Sequence, residues 1–241
     1  MVQEFEVRWE GELPATRQEV WDAVTLHTAS WYWEIEYEPV LGGAERGLSS
    51  GGGTVTAWDP PRHFATRAPV TGGFNQIEYR LEPRAAGTHL RFVHRGVFTE
   101  DHARQLDACR QHTAFYYHSL GEYLRHFPGR DATYVAAEAP ATSATGGTAV
   151  LRRALGVPGD VAAGDRVRLT PAGLEPIEGV VDYATPAFLG VRSAGGLYRF
   201  YGRDAWGWPV GIAHHVFAAT GTDEQAWTTW LDGVFATEAV A

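Results

Sequence analysis

The chain of 241 residues contains no lysine, so all 20 of its basic residues are arginines. Three kinds of site need a lysine amine and are therefore excluded: a Walker A loop, a Schiff-base lysine and a lysine general base. The single cysteine, Cys109, excludes an internal disulfide and a multi-thiolate zinc site. A lone thiol also fits a reducing compartment. These two absences exclude the enzyme classes that depend on such sites.

Positive charge and long apolar runs are scarce as well. The formal net charge of -9 at pH 7 argues against nucleic acid and against an anionic membrane surface as partners. No segment approaches 18 uncharged apolar residues, and the N-terminal residues lack the basic and apolar regions of a signal peptide. We therefore expect a soluble, cytoplasmic protein that binds neither nucleic acid nor a membrane. We expect no cofactor and no metal ion.

Apolar residues make up 44% of the chain, which is enough for a substantial core, and the length favours two domains. In the first half, residues 3–9 alternate between apolar and charged, as a half-buried strand does. Thr16 and Glu19 form a capping box at the start of a short helix. Segments 53–58, 63–67, 76–81 and 89–95 are rich in Val, Thr, Tyr and Phe, which predicts the strands of an antiparallel meander.

A long amphipathic helix is predicted from residue 101 to residue 127, where no proline interrupts the pattern. Residues 131–148 are mainly Ala, Thr, Ser, Pro and Gly, a composition typical of a linker. Beyond them, five strand-like segments precede a final helix with a capping box from Thr222 to Gln225. The order of parts in the second half repeats that of the first. We therefore predict domains over 1–130 and 149–241, the second being a shortened copy without the opening strand and helices.

Three stretches carry a family resemblance: Glu12 to Val24, Gly53 to Arg62, and Gly87 to His94. They resemble the START-like, or SRPBCC, superfamily, and within it the branch of the Hsp90 ATPase activator homologues. The resemblance covers residues 3–127, and it extends to 165–236 only through the internal repeat. It implies an α+β helix-grip fold, in which a curved antiparallel sheet wraps around a long C-terminal helix. Members of the superfamily bind lipids, sterols, hormones or polyketides, and some act as cyclases or hydroxylase domains.

Alternation and helical spacing also predict a hollow between sheet and helix, because a curved sheet cannot contact a straight helix across its whole width. Such a hollow is either a filled core or an apolar pocket. The candidate ligand-binding residues on the sheet are Val55, Ile77, Tyr79, Leu81, Leu90, Phe92 and His94. Those on the helix are Leu106, Cys109, Thr113, Tyr116 and Leu120. Hydroxyl groups and rings on the helix favour a pocket with a few polar groups.

His94 is the candidate catalytic residue, because it is in phase with Leu90 and Phe92 on the apolar side of its strand. It could donate a hydrogen bond to a ligand or act as a general acid or base. A core histidine bonded to a carbonyl or a tyrosine is the alternative. In the second half, His214 is the corresponding inward residue.

Four other patterns have ordinary structural interpretations. Gly47 to Gly51 matches G-x-S-x-G, but a strand rather than a helix follows, which indicates a loop. Cys109 and His112 are three residues apart on one helix, and we interpret Cys109 as packing. His118, Glu122 and His126 share a helical face that is more simply solvated than metal-binding. Residues 31–33, with two tryptophans and a tyrosine, would mark a ligand entrance or a partner surface.

The sequence favours a binding protein for a small hydrophobic or aromatic molecule, held between sheet and long helix. One alternative is a polyketide cyclase or dehydratase-like enzyme, in which His94 moves a proton with help from Tyr79 or Tyr116. The other is a protein-interaction module of the Hsp90-activator type, so a protein partner is possible. The pattern favours binding over catalysis, and it leaves the oligomeric state open.

Overall fold

The computed structural model describes residues 2–218 and 223–238. The chain divides into two compact units, Met1–Asp131 and Ala132–Ala241. Each unit consists of one antiparallel sheet with helices, and each is described by itself below.

Unit 1 is a seven-stranded antiparallel sheet with two α-helices. Its elements are β1 (Gln3–Leu13), α1 (Arg17–Thr25), β2 (Glu36–Tyr37), β3 (Ala44–Arg46), β4 (Gly53–Asp59), β5 (His63–Val70), β6 (Gly73–Arg84), β7 (Gly87–Phe98) and α2 (His102–His126). The strand order is β1-β7-β6-β5-β4-β3-β2. The last strand therefore pairs with the first, and β2 to β7 form the predicted meander.

Local signals explain how the two helices of unit 1 begin. The Thr16 side chain accepts from the Glu19 backbone N–H, and the Glu19 carboxylate accepts from the Thr16 N–H at 2.7 Å, so the capping box is confirmed. Asp101 caps α2, and Arg125 and His126 lie in its last turn, where positive charge complements the helix dipole. The predicted range 101–127 differs from the observed one by one residue at each end.

Unit 2 is a six-stranded antiparallel sheet, also with two α-helices. Its elements are β8 (Thr133–Glu138), α3 (Gly147–Leu155), β9 (Arg166–Leu169), β10 (Ile177–Ala184), β11 (Phe188–Arg192), β12 (Gly196–Tyr201), β13 (Gly211–Val216) and α4 (Glu224–Glu238). The strand order is β8-β13-β12-β11-β10-β9. Again the last strand pairs with the first, so unit 2 repeats the topology of unit 1 with one strand fewer.

The predicted linker over residues 131–148 is wrong. Residues 133–138 form β8, which pairs with β13 from Thr133↔Val216 to Glu138↔Gly211. The second copy therefore keeps its opening strand, and α3 gives it a helix after that strand. Ala, Thr and Ser in this segment do not prevent pairing, because strand preference depends strongly on the neighbouring strand and on burial.

The α+β helix-grip fold with a shortened second copy is confirmed: each unit has an antiparallel sheet followed by a C-terminal helix, 25 residues long in α2 and 15 in α4. The predicted capping box of α4 begins at Thr222, which lies outside the described residues. Its second residue, Asp223, accepts from the Ala226 N–H at 2.6 Å. Within the described ranges, no helix combines the length and apolarity needed to cross a bilayer.

Candidate functional site

The concave face of the unit 1 sheet is built from the predicted apolar residues. Cross-strand register places Ile77 opposite His94, Tyr79 opposite Phe92, and Leu81 opposite Leu90. Ile77, Tyr79, Leu81, Leu90, Phe92 and Val55 are all buried, whereas His94 is half-buried. Alternation on β4, β6 and β7 therefore brings these seven residues to one face, as the sequence predicts.

On α2, the residue at the centre of the sheet–helix contact is Tyr117, which the sequence analysis did not include. Its ring centroid lies 4.6 Å from that of Trp9, 4.7 Å from Phe92 and 5.7 Å from Trp31. This part of the interface is a filled aromatic core. The predicted Tyr116 instead packs edge-on against Tyr32, at 4.5 Å. Of the other helix candidates, Thr113 and Leu120 are buried, and Leu106 and Cys109 are half-buried.

A chain of polar side chains runs from the loop before β4 to α2. The Asn75 amide donates to Ser49 Oγ at 3.0 Å, and His94 Nε2 lies 2.6 Å from Asn75 Oδ1. Because a carbonyl oxygen only accepts, Nε2 carries the proton and Nδ1 is the acceptor. His94 Nδ1 lies 3.5 Å from Cys109 Sγ, so the thiol points its proton at the imidazole. Cys109 thus contacts His94 and Thr113, whereas His112 contacts the Ala108 carbonyl.

Burial keeps the hydrogen-bonded side chains from Ser49 to Cys109 uncharged. It lowers the pKa of His94 to about 4 and raises the pKa of Cys109 to about 11. Desolvation disfavours the imidazolium and the thiolate alike, so the pair is a neutral imidazole beside a neutral thiol at pH 7. A neutral pair of this kind forms directional hydrogen bonds, whereas it lacks the thiolate character of an activated cysteine.

Four tyrosines surround the same region. Burial raises the pKa values of Tyr32, Tyr37, Tyr79 and Tyr117, and each of Tyr32, Tyr37 and Tyr117 is further raised by the charge of neighbouring phenols. Yet Tyr32 and Tyr37, like His94 and Cys109, keep part of their surface accessible. These four side chains therefore lie where the buried face of the sheet meets accessible surface. The hydroxyls there are neutral donors and acceptors.

Glu45 on β3 brings a carboxyl group to this region. The residue is 1% exposed, and its Oε1 accepts from the Leu48 N–H at 2.8 Å. Its Oε2 is buried and has no hydrogen-bond partner among the described residues. Burial raises the pKa of the carboxyl group, and the backbone N–H groups of Leu48 and Ser49 oppose that rise. A Cβ at Gly53 would overlap Oε2, so a larger residue there would displace the Glu45 carboxyl group.

The structure also places the other patterns that the sequence singles out. Gly47 to Gly51 is the loop between β3 and β4, as predicted. Glu122 is 7% exposed and pairs with Arg125 at 2.6 Å, so the predicted solvated face is wrong at this residue. Within residues 2–218 and 223–238, no cluster of three or more His, Cys, Asp or Glu side chains could hold a metal ion.

His214 occupies in unit 2 the place of His94 in unit 1, on the last strand and facing the last helix. Its ring lies 4.5 Å from that of Trp227 on α4, and its Nδ1 accepts from the Arg199 backbone N–H at 3.1 Å. Unlike His94, it is fully buried. Its neighbour on the last helix is the ring of Trp227, whereas that of His94 on α2 is the thiol of Cys109.

Sequence reasoning missed Ser49, Asn75, Glu45, Tyr37 and Tyr117. For Asn75 a signal exists, because it is in phase with Ile77 and Tyr79 and must share their face. Glu45 and Tyr37 lie on strands of two or three residues, too short to show a period.

Part of this chain is similar to a known protein family and to several solved structures. Residues 14–125 match the model of the family described as Activator of Hsp90 ATPase homolog 1-like protein. None of the curated proteins matches the chain. Among solved structures, protein MLL2253 from Mesorhizobium loti is similar to 51% of this chain and 98% of its own, with 18% identity and a TM-score of 0.44.

Two further solved structures are also similar to about half of this chain. CalU16 from Micromonospora echinospora is 22% identical over 53% of this chain and 78% of its own, with a TM-score of 0.41. The Aha1 dimer from Colwellia psychrerythraea is 19% identical over 50% of this chain and 96% of its own, also with a TM-score of 0.41. The family match lies wholly within unit 1 and covers the helix-grip elements from α1 to α2. Unit 1 of this chain therefore matches the Activator of Hsp90 ATPase homolog 1-like family over residues 14–125.

Proposed function

We propose that unit 1 binds a small hydrophobic or aromatic molecule between the concave face of its sheet and the first half of α2. The observation that carries the proposal is the state of Tyr32, Tyr37, His94 and Cys109. These side chains are desolvated enough to shift their pKa values, yet they keep accessible surface. Accessible polar groups on the side of the sheet that α2 covers support a space that a small guest can enter.

The lining suits a mainly apolar guest with a few hydrogen-bonding groups. Rings of Tyr32, Tyr79 and Phe92 offer flat apolar surface, and aromatic pairs stack or meet edge to face. Hydroxyl groups and the neutral pair of His94 and Cys109 offer directional contacts. A few placed polar groups in an apolar pocket are what fixes the orientation of a small ligand.

Filling the space is expected to abolish binding. Cys109→Phe places a ring where the thiol faces His94, whereas Cys109→Ser changes the volume little. Native mass spectrometry of the full chain purified from its own host should show a bound small molecule in the wild type and in Cys109→Ser, and none in Cys109→Phe. Circular dichroism shows whether each variant is folded.

A second measurement keeps this test informative if Cys109→Phe does not fold. Cys109 is the only thiol of the chain, so its alkylation by N-ethylmaleimide reports on access to the space. Removing the bound molecule from the wild type should accelerate alkylation. A wild type that carries no small molecule, with alkylation unchanged by extraction, would contradict the proposal.

Proton transfer by His94 is less well supported. The lowered pKa makes its imidazole a weak base, and both ring nitrogens already have partners in Asn75 and Cys109. The cyclase or dehydratase alternative therefore needs the hydrogen bonds of His94 to Asn75 and Cys109 to rearrange, whereas binding does not.

The family description keeps a protein-interaction module as the second candidate, since it names an activator of the Hsp90 ATPase. The feature that favours it is the turn between β2 and β3, where Val40 is 54% and Leu41 is 68% exposed. The same two variants separate the candidates, because an interaction through this turn is unaffected by Cys109→Phe.

A further inference from the structure

A buried carboxyl group without a cationic partner sits beside the proposed ligand space. Glu45 is 1% exposed, and its carboxyl group is contacted by the backbone N–H groups of Leu48 and Ser49, while Oε2 has no hydrogen-bond partner among residues 2–218 and 223–238. Gly53 and Ala68 show where the side chain lies: a Cβ at Gly53 would overlap Oε2 and would lie 3.1 Å from Ala68 Cβ. Gly53 is in phase with the buried Val55, so Glu45 is on the concave side of the sheet.

Among the described residues of unit 1, no positively charged side chain of a strand lies on this side of the sheet. The chain has no lysine, and most arginines of unit 1 are exposed. Of the two that are half-buried, Arg95 alternates with His94 and pairs with Glu6 at 2.5 Å on the outer face. Arg17 is in the first turn of α1. An ionised carboxylate in a desolvated place is costly unless an opposite charge comes near it.

Tyr37 begins a row of aromatic rings on the same face of the sheet as Glu45. Tyr37 lies directly opposite it in the register of β2 and β3. The Tyr37 ring meets that of Phe64 at 4.6 Å, and Phe64 stacks with Tyr79 at 5.7 Å. Ring faces attract cations within about 6 Å, and the attraction is greatest where water is excluded. A carboxylate and several rings together are what an ammonium group requires.

We infer that the molecule bound by unit 1 carries a positively charged nitrogen, which lies beside the ring of Tyr37 and within electrostatic range of Glu45. The inference rests on the proposed function and names the chemical class of its ligand: a small aromatic or aliphatic amine. Direct contact with Oε2 is not required, because an opposite charge within about 4–6 Å stabilises a carboxylate. An anionic ligand is excluded, since it would meet this carboxylate without a cation to offset it.

Three probes that share a phenyl group and differ in charge test the inference: phenethylamine, phenethyl alcohol and phenylacetate. Each is titrated against the full-length protein at pH 7, and the rate of Cys109 alkylation by N-ethylmaleimide is followed by mass spectrometry. We expect phenethylamine to protect Cys109 at a concentration about tenfold lower than phenethyl alcohol does. Phenylacetate should give no protection.

The matched variants are Glu45→Gln and Glu36→Gln. Glutamine at position 45 keeps the oxygen that accepts from Leu48 and removes only the charge. Glu36 lies on the neighbouring strand with its side chain 67% exposed, so Glu36→Gln changes the net charge equally at the surface. Glu45→Gln should reduce protection by phenethylamine to that of phenethyl alcohol. Glu36→Gln should leave both unchanged, and unchanged alcohol protection in Glu45→Gln shows that the variant is folded.

Failure of the inference and failure of the proposed function give different results. Equal protection by amine and alcohol, unchanged in Glu45→Gln, would overturn the inference and leave ligand binding in place. Protection by phenylacetate at the concentration of the amine would overturn it as well. Protection by none of the three probes would count against both.

Discussion

Replacing Tyr117 with alanine is expected to lower the free energy of unfolding of unit 1 by about 3–5 kcal/mol, as for other large aromatic residues in a core. Tyr117 is 3% exposed and touches the rings of Trp9 and Phe92. Those rings are held by β1 and β7, whose eleven-residue pairing limits how far they can move into the gap. The cavity therefore stays largely open, which is the condition for a cost at the upper end of the range.

Hydrogen exchange of the full chain, followed on peptides from β1 and β7, measures this change within unit 1. The matched control is Tyr117→Phe, which keeps the ring and removes the hydroxyl bonded to Tyr79, and which should cost about 1–2 kcal/mol. Equal losses in the two variants would show that the hydroxyl, and not the packed ring, is what stabilises the contact. A loss below about 1 kcal/mol in Tyr117→Ala would contradict a filled core at this position.

Tyr117 also shows what the sequence can and cannot predict about α2. Periodicity predicts α2 to within one residue at each end, yet it selects Tyr116 and not Tyr117 as the residue facing the sheet. Phe115 and Ser119 are buried along with Leu120, Tyr123 and Leu124, so α2 is covered on more than one side. A helix without one wide solvent face has no clear polar stripe, and its apolar stripe then fixes the rotation poorly.

The missed strand β8 has a different cause. Its six residues include three of Ala and Glu, types that are depleted in strands, and the segment lies next to a run of Ala, Thr, Ser and Gly. Pairing with β13 supplies what its composition does not. Tertiary context of this kind cannot be read from a short segment, whereas the longer strands β6 and β7 show their alternation plainly.

The candidate site is predicted as a surface and not as a set of contacts. Alternation correctly places His94 and its neighbours on one face of the sheet, because that follows from the geometry of a single strand. The partners of His94 come from β6 and α2, and Ser49 comes from a loop. Distances between such separate elements depend on the register and on the position of the helix, which a single sequence does not give.

Acidification is expected to destabilise unit 1 through His94. Burial lowers its pKa from 6.5 to about 4, so the folded state keeps a neutral imidazole in a range where the unfolded chain binds a proton. The stabilising contribution is complete above about pH 6.5 and is lost as the pH falls towards 4. With one pKa unit worth about 1.36 kcal/mol, the loss from pH 7 to pH 5 is about 2 kcal/mol.

The variant His94→Gln tests this, because glutamine can still donate to Asn75 and does not titrate. Hydrogen exchange on peptides of β6 and β7, corrected for the intrinsic rate at each pH, should show the loss between pH 7 and pH 5 in the wild type and little of it in the variant. His214 gives an internal control: burial also lowers its pKa, so peptides of β12 and β13 should keep their pH dependence in His94→Gln. If the pH dependence of exchange in β6 and β7 were the same in His94→Gln as in the wild type, His94 would already be protonated at pH 5. The neutral hydrogen-bonded side chains from Ser49 to Cys109 would then not exist at that pH.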